Sequence, residues 1–226
     1  MYNARYKSVF DIIGPVMVGP SSSHTAGAAK IGKIVSSLFE SDIAKVKITL
    51  YRSFAKTYKG HGTDIALVGG LLGMEPDDMR LRDSLEIAHK QGVNVVFKPD
   101  FKNQDVHPNT AKIVVENKDG SEKLTVMGVS IGGGNVEISN IDGFNLRLRA
   151  ATPTYIIVHD DEPGMIAQIT TILGLAQINI SKIEMNRLEK GGLNTVLMEV
   201  DQTEIGNTLA LIDSIPKVKI AHFFNI

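Results

Sequence analysis

Apolar residues follow two different periods along this chain of 226 residues. Residues 44–51 alternate polar and apolar positions, which predicts a strand, and residues 28–39 place apolar side chains at helical spacing, which predicts a helix. The continuous apolar run at residues 65–72 indicates a buried helix. From residue 154 onward the pattern predicts the order strand, helix, strand, strand, helix, strand, with one sheet carrying both helices on one face.

The composition changes near Pro153. Before this residue, glycine-rich turns separate an irregular mixture of helix and strand patterns, and after it the pattern is regular and the size of a small module. Because proline is a strong break in local structure, we predict two domains, residues 1–150 and residues 154–226. The expected fold class is α+β, with a mixed α/β first domain and a ferredoxin-like βαββαβ second domain.

The charge of the chain is balanced, with 24 Lys and Arg residues against 25 Asp and Glu residues. This balance gives no electrostatic footprint for nucleic acid or for an anionic membrane surface. No apolar run approaches the length of a membrane span, and the first residues lack the pattern of a signal peptide. We therefore expect a cytoplasmic protein with neither a nucleic-acid nor a membrane partner.

Cysteine is absent from the chain. Its absence excludes disulfides, thiolate-bound zinc and an iron–sulfur cluster held by this chain's own thiolates. We therefore expect no metal site in this chain, and any iron–sulfur chemistry would need a partner chain.

Hydroxyl and imidazole side chains are concentrated in residues 19–27, which read GPSSSHTAG. They precede the predicted helix at residues 28–39, where free backbone N–H groups and the positive end of the helix dipole favour an anion such as a carboxylate. The candidate site residues of this segment are Ser21, Ser22, Ser23, His24 and Thr25. The alternative is a serine-rich helix N-cap beside a solvated histidine.

A second polar loop, residues 60–64, reads GHGTD and leads into the apolar run at residues 65–72. Imidazole titrates near neutral pH, so His61 and His24 are the candidates for proton transfer. Thr63 is a candidate hydrogen-bonding residue, and Asp64 is a candidate to orient His61 or to hold an ammonium group. The alternative is a plain loop histidine followed by Thr63 or Asp64 as a helix N-cap.

The second domain resembles an ACT domain. The resemblance is carried by residues 159–166, which read HDDEPGMI, and by residues 178–180, which read INI. ACT domains are regulatory and often bind amino acids at paired interfaces, so the resemblance implies self-association and an amino-acid effector. The implied effector-binding residues are Asp160, Glu162, Gly164, Met165 and Asn179. The alternative is a ligand-free oligomerisation module.

The first domain resembles the beta chain of the two-subunit, iron–sulfur-dependent bacterial L-serine dehydratases. Two longer segments carry the match, residues 8–15 (SVFDIIGP) running into 19–27, and residues 51–57 (YRSFAKT) running into 60–64; residues 107–110 and 130–134 carry it more weakly. This family usually has glycine where Arg52 stands. Because the His-Gly-Thr-Asp segment is intact, this departure puts little of the resemblance in doubt.

This second resemblance implies a subunit that is inactive alone and completes an active site with an alpha chain. The alpha chain would hold a [4Fe-4S] cluster with one open iron, and the pair would convert L-serine to pyruvate and ammonia. His24 and His61 would be catalytic. The substrate-binding residues would be Ser21, Ser22, Ser23, Thr25, Thr63 and Asp64.

Two other interpretations stay open. The first domain also resembles the allosteric domain attached to some phosphoglycerate dehydrogenases, which would make this chain a non-catalytic, serine-sensing regulatory subunit. A weaker alternative is an assembly subunit with both sites inert.

Overall fold

A turn at Asp142 separates two units of the chain, Met1–Asp142 and Gly143–Ile226. The computed structural model describes residues 15–39, 41–149, 152–187 and 189–225. The domain boundary predicted after residue 150 stays a prediction, and Ala150 and Ala151 lie outside the described residues. In the described ranges, each helix is too short or too polar to cross a bilayer.

Five strands of the first unit lie side by side in one sheet. Its strands are β1 (Lys45–Tyr51), β2 (Asn94–Asp100), β3 (Thr110–Glu116), β4 (Lys123–Gly132) and β5 (Asn135–Ile141). Their order is β2-β1-β3-β4-β5, with β1 and β2 parallel and the other neighbours antiparallel. The alternation predicted at residues 44–51 is confirmed, because Val46, Ile48 and Leu50 are buried while Lys45 and Lys47 are exposed.

Short helices complete the first unit. They are a π-helical turn (Ser22–Ala26), α1 (Gly27–Leu38), α2 (Arg52–Thr57), α3 (Thr63–Leu71), a 3₁₀ helix (Met79–Asp83) and α4 (Ser84–Lys90). The helices predicted at residues 28–39 and 65–72 are confirmed as α1 and α3. Seven of the nine α3 residues are buried, which explains why its apolar pattern is continuous instead of one-sided.

Two glycines let the backbones of α1 and α3 touch. A Cβ atom on Gly32 would overlap the Leu67 carbonyl oxygen and lie 2.8 Å from the Leu71 nitrogen. A Cβ atom on Gly70 would overlap the Ala29 carbonyl oxygen in the same way. Because neither backbone can yield as a flexible side chain would, this close approach requires glycine at both positions.

The second unit begins with β6 (Phe144–Leu148) and contains the predicted βαββαβ module. Its elements are β7 (Thr154–Asp160), α5 (Met165–Leu175), β8 (Ile180–Arg187), β9 (Leu193–Val200), α6 (Thr208–Asp213) and β10 (Val218–Phe224). The strands form a four-stranded sheet of order β10-β7-β9-β8, as expected for a ferredoxin-like arrangement. Tyr155, Ile157, Ile169, Leu173 and Val196 form the centre of its core.

The glycine contact predicts a large effect of a single methyl group. Gly70→Ala should destabilise the first unit by about 1–3 kcal/mol, because the added Cβ forces α1 and α3 apart. Hydrogen exchange of the α1 and α3 amides measures the loss of protection. The matched control is Gly174→Ala in α5, where a Cβ would have no atom within 4 Å and alanine is the better helix former. Unchanged protection of α1 in Gly70→Ala would contradict the contact.

Candidate functional site

The hydroxyl-rich segment forms the entry to α1. Ser21 is the N-cap, and its Oγ accepts the backbone N–H of His24 at 3.2 Å. Ser22 to Ala26 then form the π-helical turn, and the Gly27 N–H donates to the Ser22 carbonyl. The predicted capping role is therefore confirmed for Ser21, whereas the following residues lie inside the helical entry. Such π-helical turns are rare and frequently occur at functional sites.

The imidazole of His24 is buried, with only 8% of the residue exposed. Its Nδ1 lies 3.0 Å from Ser23 Oγ and 3.3 Å from Ser21 Oγ. Its Nε2 lies 3.2 Å from Ser53 Oγ. Each ring nitrogen therefore has a hydroxyl partner, and the ring is not the solvated loop histidine of the alternative interpretation.

His61 lies directly against His24. The two ring centroids are 4.9 Å apart and the ring planes meet at 87°, an edge-to-face contact. His61 is exposed, whereas His24 is buried and also contacts the Phe54 ring at 5.1 Å. Thr25 Oγ1 donates to the His61 carbonyl at 3.4 Å and connects the two loops. The structure thus brings together the two histidines that the sequence placed in separate motifs.

The environment makes His24 a neutral imidazole near pH 7. Burial, and secondly the neighbouring His61, lower the pKa of His24 below its ordinary value. Burial raises the pKa of Asp64, an effect that the Ile65 N–H opposes by donating to Asp64 Oδ1 at 3.0 Å. A buried base beside an exposed imidazole is an arrangement that can accept and return a proton.

Thr63 begins α3, and its N-cap is Gly62 with φ 67°. The alternative in which Thr63 or Asp64 is the N-cap is therefore wrong, because the left-handed turn that starts α3 needs a glycine. Thr63 is fully buried and Thr25 is 1% exposed, whereas Ser22 is half-buried. Among the described residues, buried hydroxyls without a hydrogen-bond partner include those of Thr63 and Ser130.

Ser53 is the site residue that the sequence reasoning missed. It follows Arg52, whose φ of 46° lies in the left-handed region at the junction of β1 and α2. The available signal was the glycine that the family usually has at position 52, where Arg52 stands in this chain. A glycine there indicates a positive φ and hence a sharp turn just before Ser53. Here Arg52 adopts that conformation and donates from Nη1 to the Val106 carbonyl at 2.9 Å.

This chain offers no ligand set for an iron–sulfur cluster. It has no cysteine in its full sequence. Over the ranges that the structure describes, no three His, Asp or Glu side chains come together as metal ligands.

A pocket of about 430 Å³ surrounds the N-terminus of α5 in the second unit. Of the predicted effector-binding residues, Glu162, Gly164 and Met165 line it. Gly164 has φ 88° and is the N-cap of α5, so the turn requires glycine. A carboxylate would be stabilised here by the free N–H groups of the helix.

The other two predicted effector-binding residues do not line this pocket. The Asp160 carboxylate lies 3.2 Å from Lys219 Nζ. Asn179 donates from Nδ2 to Asp201 at 2.6 Å, and its backbone N–H donates to Gln202. Within one chain, both side chains are thus engaged away from the pocket.

Two buried acceptors line the pocket instead. His159 on β7 and Asn194 on β9 face each other in the strand register, and each is 2% exposed. His159 Nδ1 lies 2.6 Å from the Asp160 carbonyl, which can only accept, so Nδ1 carries the proton. Among the described residues, His159 Nε2 and Asn194 Oδ1 have no hydrogen-bond partner. The pair thus places two unsatisfied, buried acceptors at the wall of the pocket.

Comparisons with known proteins match both units. The family described as serine dehydratase beta chain matches residues 8–140, and the ACT domain family matches residues 154–217. The probable L-serine dehydratase beta chain of Bacillus subtilis is 44% identical over 95% of this chain and 96% of its own length. The L-serine dehydratase beta chain of Peptoniphilus asaccharolyticus is 40% identical over 86% and 87%, respectively.

A third relative belongs to another enzyme. The D-3-phosphoglycerate dehydrogenase of Methanocaldococcus jannaschii is 27% identical over 88% of this chain, but only 37% of that enzyme is covered.

The family matches confirm two resemblances predicted from the sequence, the one to the serine dehydratase beta chain and the one to the ACT domain. The chain therefore belongs to the serine dehydratase beta chain family and ends in an ACT domain.

Proposed function

We propose that this chain is the beta subunit of a cytoplasmic L-serine ammonia-lyase, which converts L-serine to pyruvate and ammonia together with a separate alpha chain. The beta-chain relatives named for L-serine dehydratase support the substrate and the reaction. The observation that carries the proposal is the contact between the buried ring of His24 and the exposed ring of His61. A β-elimination needs one base and one acid, and this pair supplies both.

The cofactor of the proposal is a [4Fe-4S] cluster on the alpha chain. The absence of cysteine from this chain agrees with that assignment, since thiolates are the usual cluster ligands. Bound there, the cluster supplies a Lewis-acid iron for the substrate's carboxylate and hydroxyl. This chain supplies hydroxyls, helix N–H groups and imidazoles, and it is inactive alone because the metal ligands lie elsewhere.

The two histidines move protons between them. One neutral imidazole takes the α-proton of serine, and the pair then delivers that same proton to the departing hydroxyl, which leaves as water, so that both rings end neutral. The aminoacrylate that remains hydrolyses to pyruvate and ammonia. Two imidazoles at 4.9 Å resist carrying a charge at the same time, which favours the transfer of one proton at a time.

The remaining site residues hold the substrate. Ser21, Ser22 and Ser23 lie half-buried at the entry to α1, where hydroxyls and the helix dipole favour the serine carboxylate. Thr25 and Thr63 are buried, and they act by shaping the two loops around the histidines. Asp64 is half-buried and stands at the start of α3, where it holds the substrate ammonium.

The ACT domain binds an amino acid in this proposal. The helix N-terminus at Gly164 and Met165 takes the carboxylate, while His159 Nε2 and Asn194 Oδ1 accept hydrogen bonds from the ammonium group. Self-association then supplies Asn179 from a second copy. Glu162 lines the same pocket, whereas Asp160 holds the turn through Lys219.

A second candidate function is a non-catalytic serine sensor. The similarity to the Methanocaldococcus jannaschii D-3-phosphoglycerate dehydrogenase over 88% of this chain favours it. In that case the loops at His24 and His61 bind serine without turning it over. Tight binding of serine by this chain alone, measured by calorimetry, supports the sensor, whereas binding only with the alpha chain supports a shared active site.

Substitution of either histidine tests the proton-transfer roles. In enzyme reconstituted with its cluster-bearing alpha chain, His24→Asn and His61→Asn should each lower kcat for anaerobic pyruvate formation by about 10²–10⁴-fold. The matched control is His89→Asn on α4, an exposed histidine outside the site. Turnover that survives both site substitutions would contradict the proposal, and an intact wild-type pair without turnover would favour the sensor.

The ring contact predicts a coupled titration. His61→Gln should raise the pKa of His24 towards its ordinary value of about 6.5, because one cause of its lowering is removed while burial remains. In the wild-type protein, stability should fall as the pH drops below about 6.5, since the unfolded chain takes up the His24 proton first. NMR titration of the imidazole measures the pKa, and an unchanged value in His61→Gln would disprove the coupling.

The pocket at α5 predicts selective loss of effector binding. Asn194→Leu should weaken amino-acid binding by about tenfold or more, because a buried acceptor for the ammonium group is lost. Calorimetry with a panel that includes L-serine measures the affinity. Asn186→Leu on β8 is the control, since its side chain contacts Glu184 and does not line the pocket. If no amino acid binds the wild-type chain, the domain serves assembly alone.

A further inference from the structure

The junction between β1 and α2 presents Ser53 to His24. Arg52 turns the chain with φ 46°, and the next two backbone N–H groups, of Ser53 and Phe54, both donate to the Pro108 carbonyl at 2.9 and 3.2 Å. Because the loop after β2 holds this turn, the Ser53 side chain is fixed where it leaves the strand. Its Oγ lies 3.2 Å from His24 Nε2.

A serine on such a strand-to-helix turn is a nucleophile in some hydrolases, where a histidine activates it. That role needs free backbone N–H groups to stabilise an oxyanion, one of them from the residue after the serine. Here the Phe54 N–H is already bound to the Pro108 carbonyl. The geometry therefore favours a serine that acts on its histidine over a serine that attacks a substrate.

The two sides of the His24 ring have different partners. Nδ1 faces Ser23 and Ser21, and Ser21 Oγ also accepts the backbone N–H of His24. Nε2 faces Ser53, which comes from a distant part of the chain. A protonated imidazole donates from both nitrogens, so the buried imidazolium needs an acceptor on each side. Ser53 is the acceptor on the Nε2 side.

The other groups around the ring do not replace this acceptor. Phe54 contacts the ring through its aromatic edge and has no acceptor atom. His61, the titratable group in ring contact, lowers the proton affinity of His24. Lys59 and Asp64 are the charged groups of the flanking loop and of α3, and Asp64 Oδ1 accepts the Ile65 N–H.

We propose that Ser53 is a positioning residue for His24, which fixes the imidazole and accepts the Nε2–H hydrogen bond of its protonated form. For its catalytic consequence, this inference rests on the proposed function. The hydrogen bond between Ser53 and His24 lies within this chain and does not depend on the proposed function. Ser53→Ala should leave the buried imidazolium without its second acceptor and so make protonation of His24 harder.

The test is an NMR titration of the ¹⁵N-histidine-labelled chain without a partner, with the His24 signal assigned from its absence in His24→Gln. In Ser53→Ala, the pKa of His24 should fall below its wild-type value, and the neutral ring should hold its proton on Nδ1. Ser53→Thr keeps the hydroxyl and should restore the wild-type titration. The control Ser37→Ala removes an exposed hydroxyl on α1 that bonds the Lys33 carbonyl, and it should change nothing.

The kinetic measurement uses the same variants with the cluster-bearing alpha chain. Ser53→Ala should lower kcat by about tenfold or more with KM little changed, because a hydrogen bond to a charged group is lost after substrate has bound. The limb of the pH profile that reports His24 should move to lower pH with the NMR titration. Ser53→Thr should recover most of the activity.

The outcomes separate this inference from the proposed function. If Ser53→Ala leaves the pKa of His24 as in the wild type, the positioning role is overturned. If the NMR shifts occur but the wild-type pair shows no turnover, the positioning role stands and the lyase proposal fails. Should alanine prevent folding, Ser53→Cys, with its weak sulfur acceptor, must give the same direction of shift or overturn the inference.

Discussion

The close packing of α1 against α3 is the constraint on which the first unit's site depends. Gly32 and Gly70 allow the two helix backbones to touch, and both site loops lead directly into these helices. The imidazoles of His24 and His61 lie in the segments that precede these helices, and they meet edge to face. Bulkier residues at the two glycines would separate the helices and, with them, the rings.

Burial in this closely packed region explains the chemistry of the histidine pair. His24 is buried, and each of its ring nitrogens lies within hydrogen-bond distance of a hydroxyl. A low-dielectric environment penalises the imidazolium, while the hydroxyls compensate part of that penalty. The site therefore holds a base that is neutral near pH 7 and keeps a defined place for a proton.

The sequence predicted the elements well but the contacts poorly, for a physical reason. Periodicity reports which face of a local element is buried, so α1, α3 and β1 were found from their patterns. The His24–Ser53 contact joins residues 29 positions apart through a turn at Arg52 with positive φ, and no local period encodes it. The sequence singled out the motifs at His24 and His61 separately, and only the fold brings the rings together.

In the second unit, too, the sequence predicted a local turn but not the contacts between strands. The turn at Gly164 was found from its sequence, because a positive φ before a helix selects glycine. The resemblance to an ACT domain implied Asp160 as an effector-binding residue, whereas in the structure its carboxylate pairs with Lys219. The buried acceptors His159 and Asn194 were missed because pairing across β7 and β9 brings them together. Register between strands is a non-local property that one strand's pattern does not contain.

The two buried histidines, His24 and His159, differ in what their hydrogen-bond partners can do. His159 Nδ1 faces a backbone carbonyl, which can only accept, so the tautomer is fixed and Nε2 of the neutral ring remains an acceptor. His24 faces hydroxyls on both sides, and a hydroxyl can rotate from donor to acceptor as the ring gains or loses a proton. A fixed tautomer suits binding, whereas reversible partners suit proton transfer. The same side chain thus has a fixed tautomer in one unit and reversible hydrogen-bond partners in the other, because its neighbours differ in hydrogen-bonding capacity.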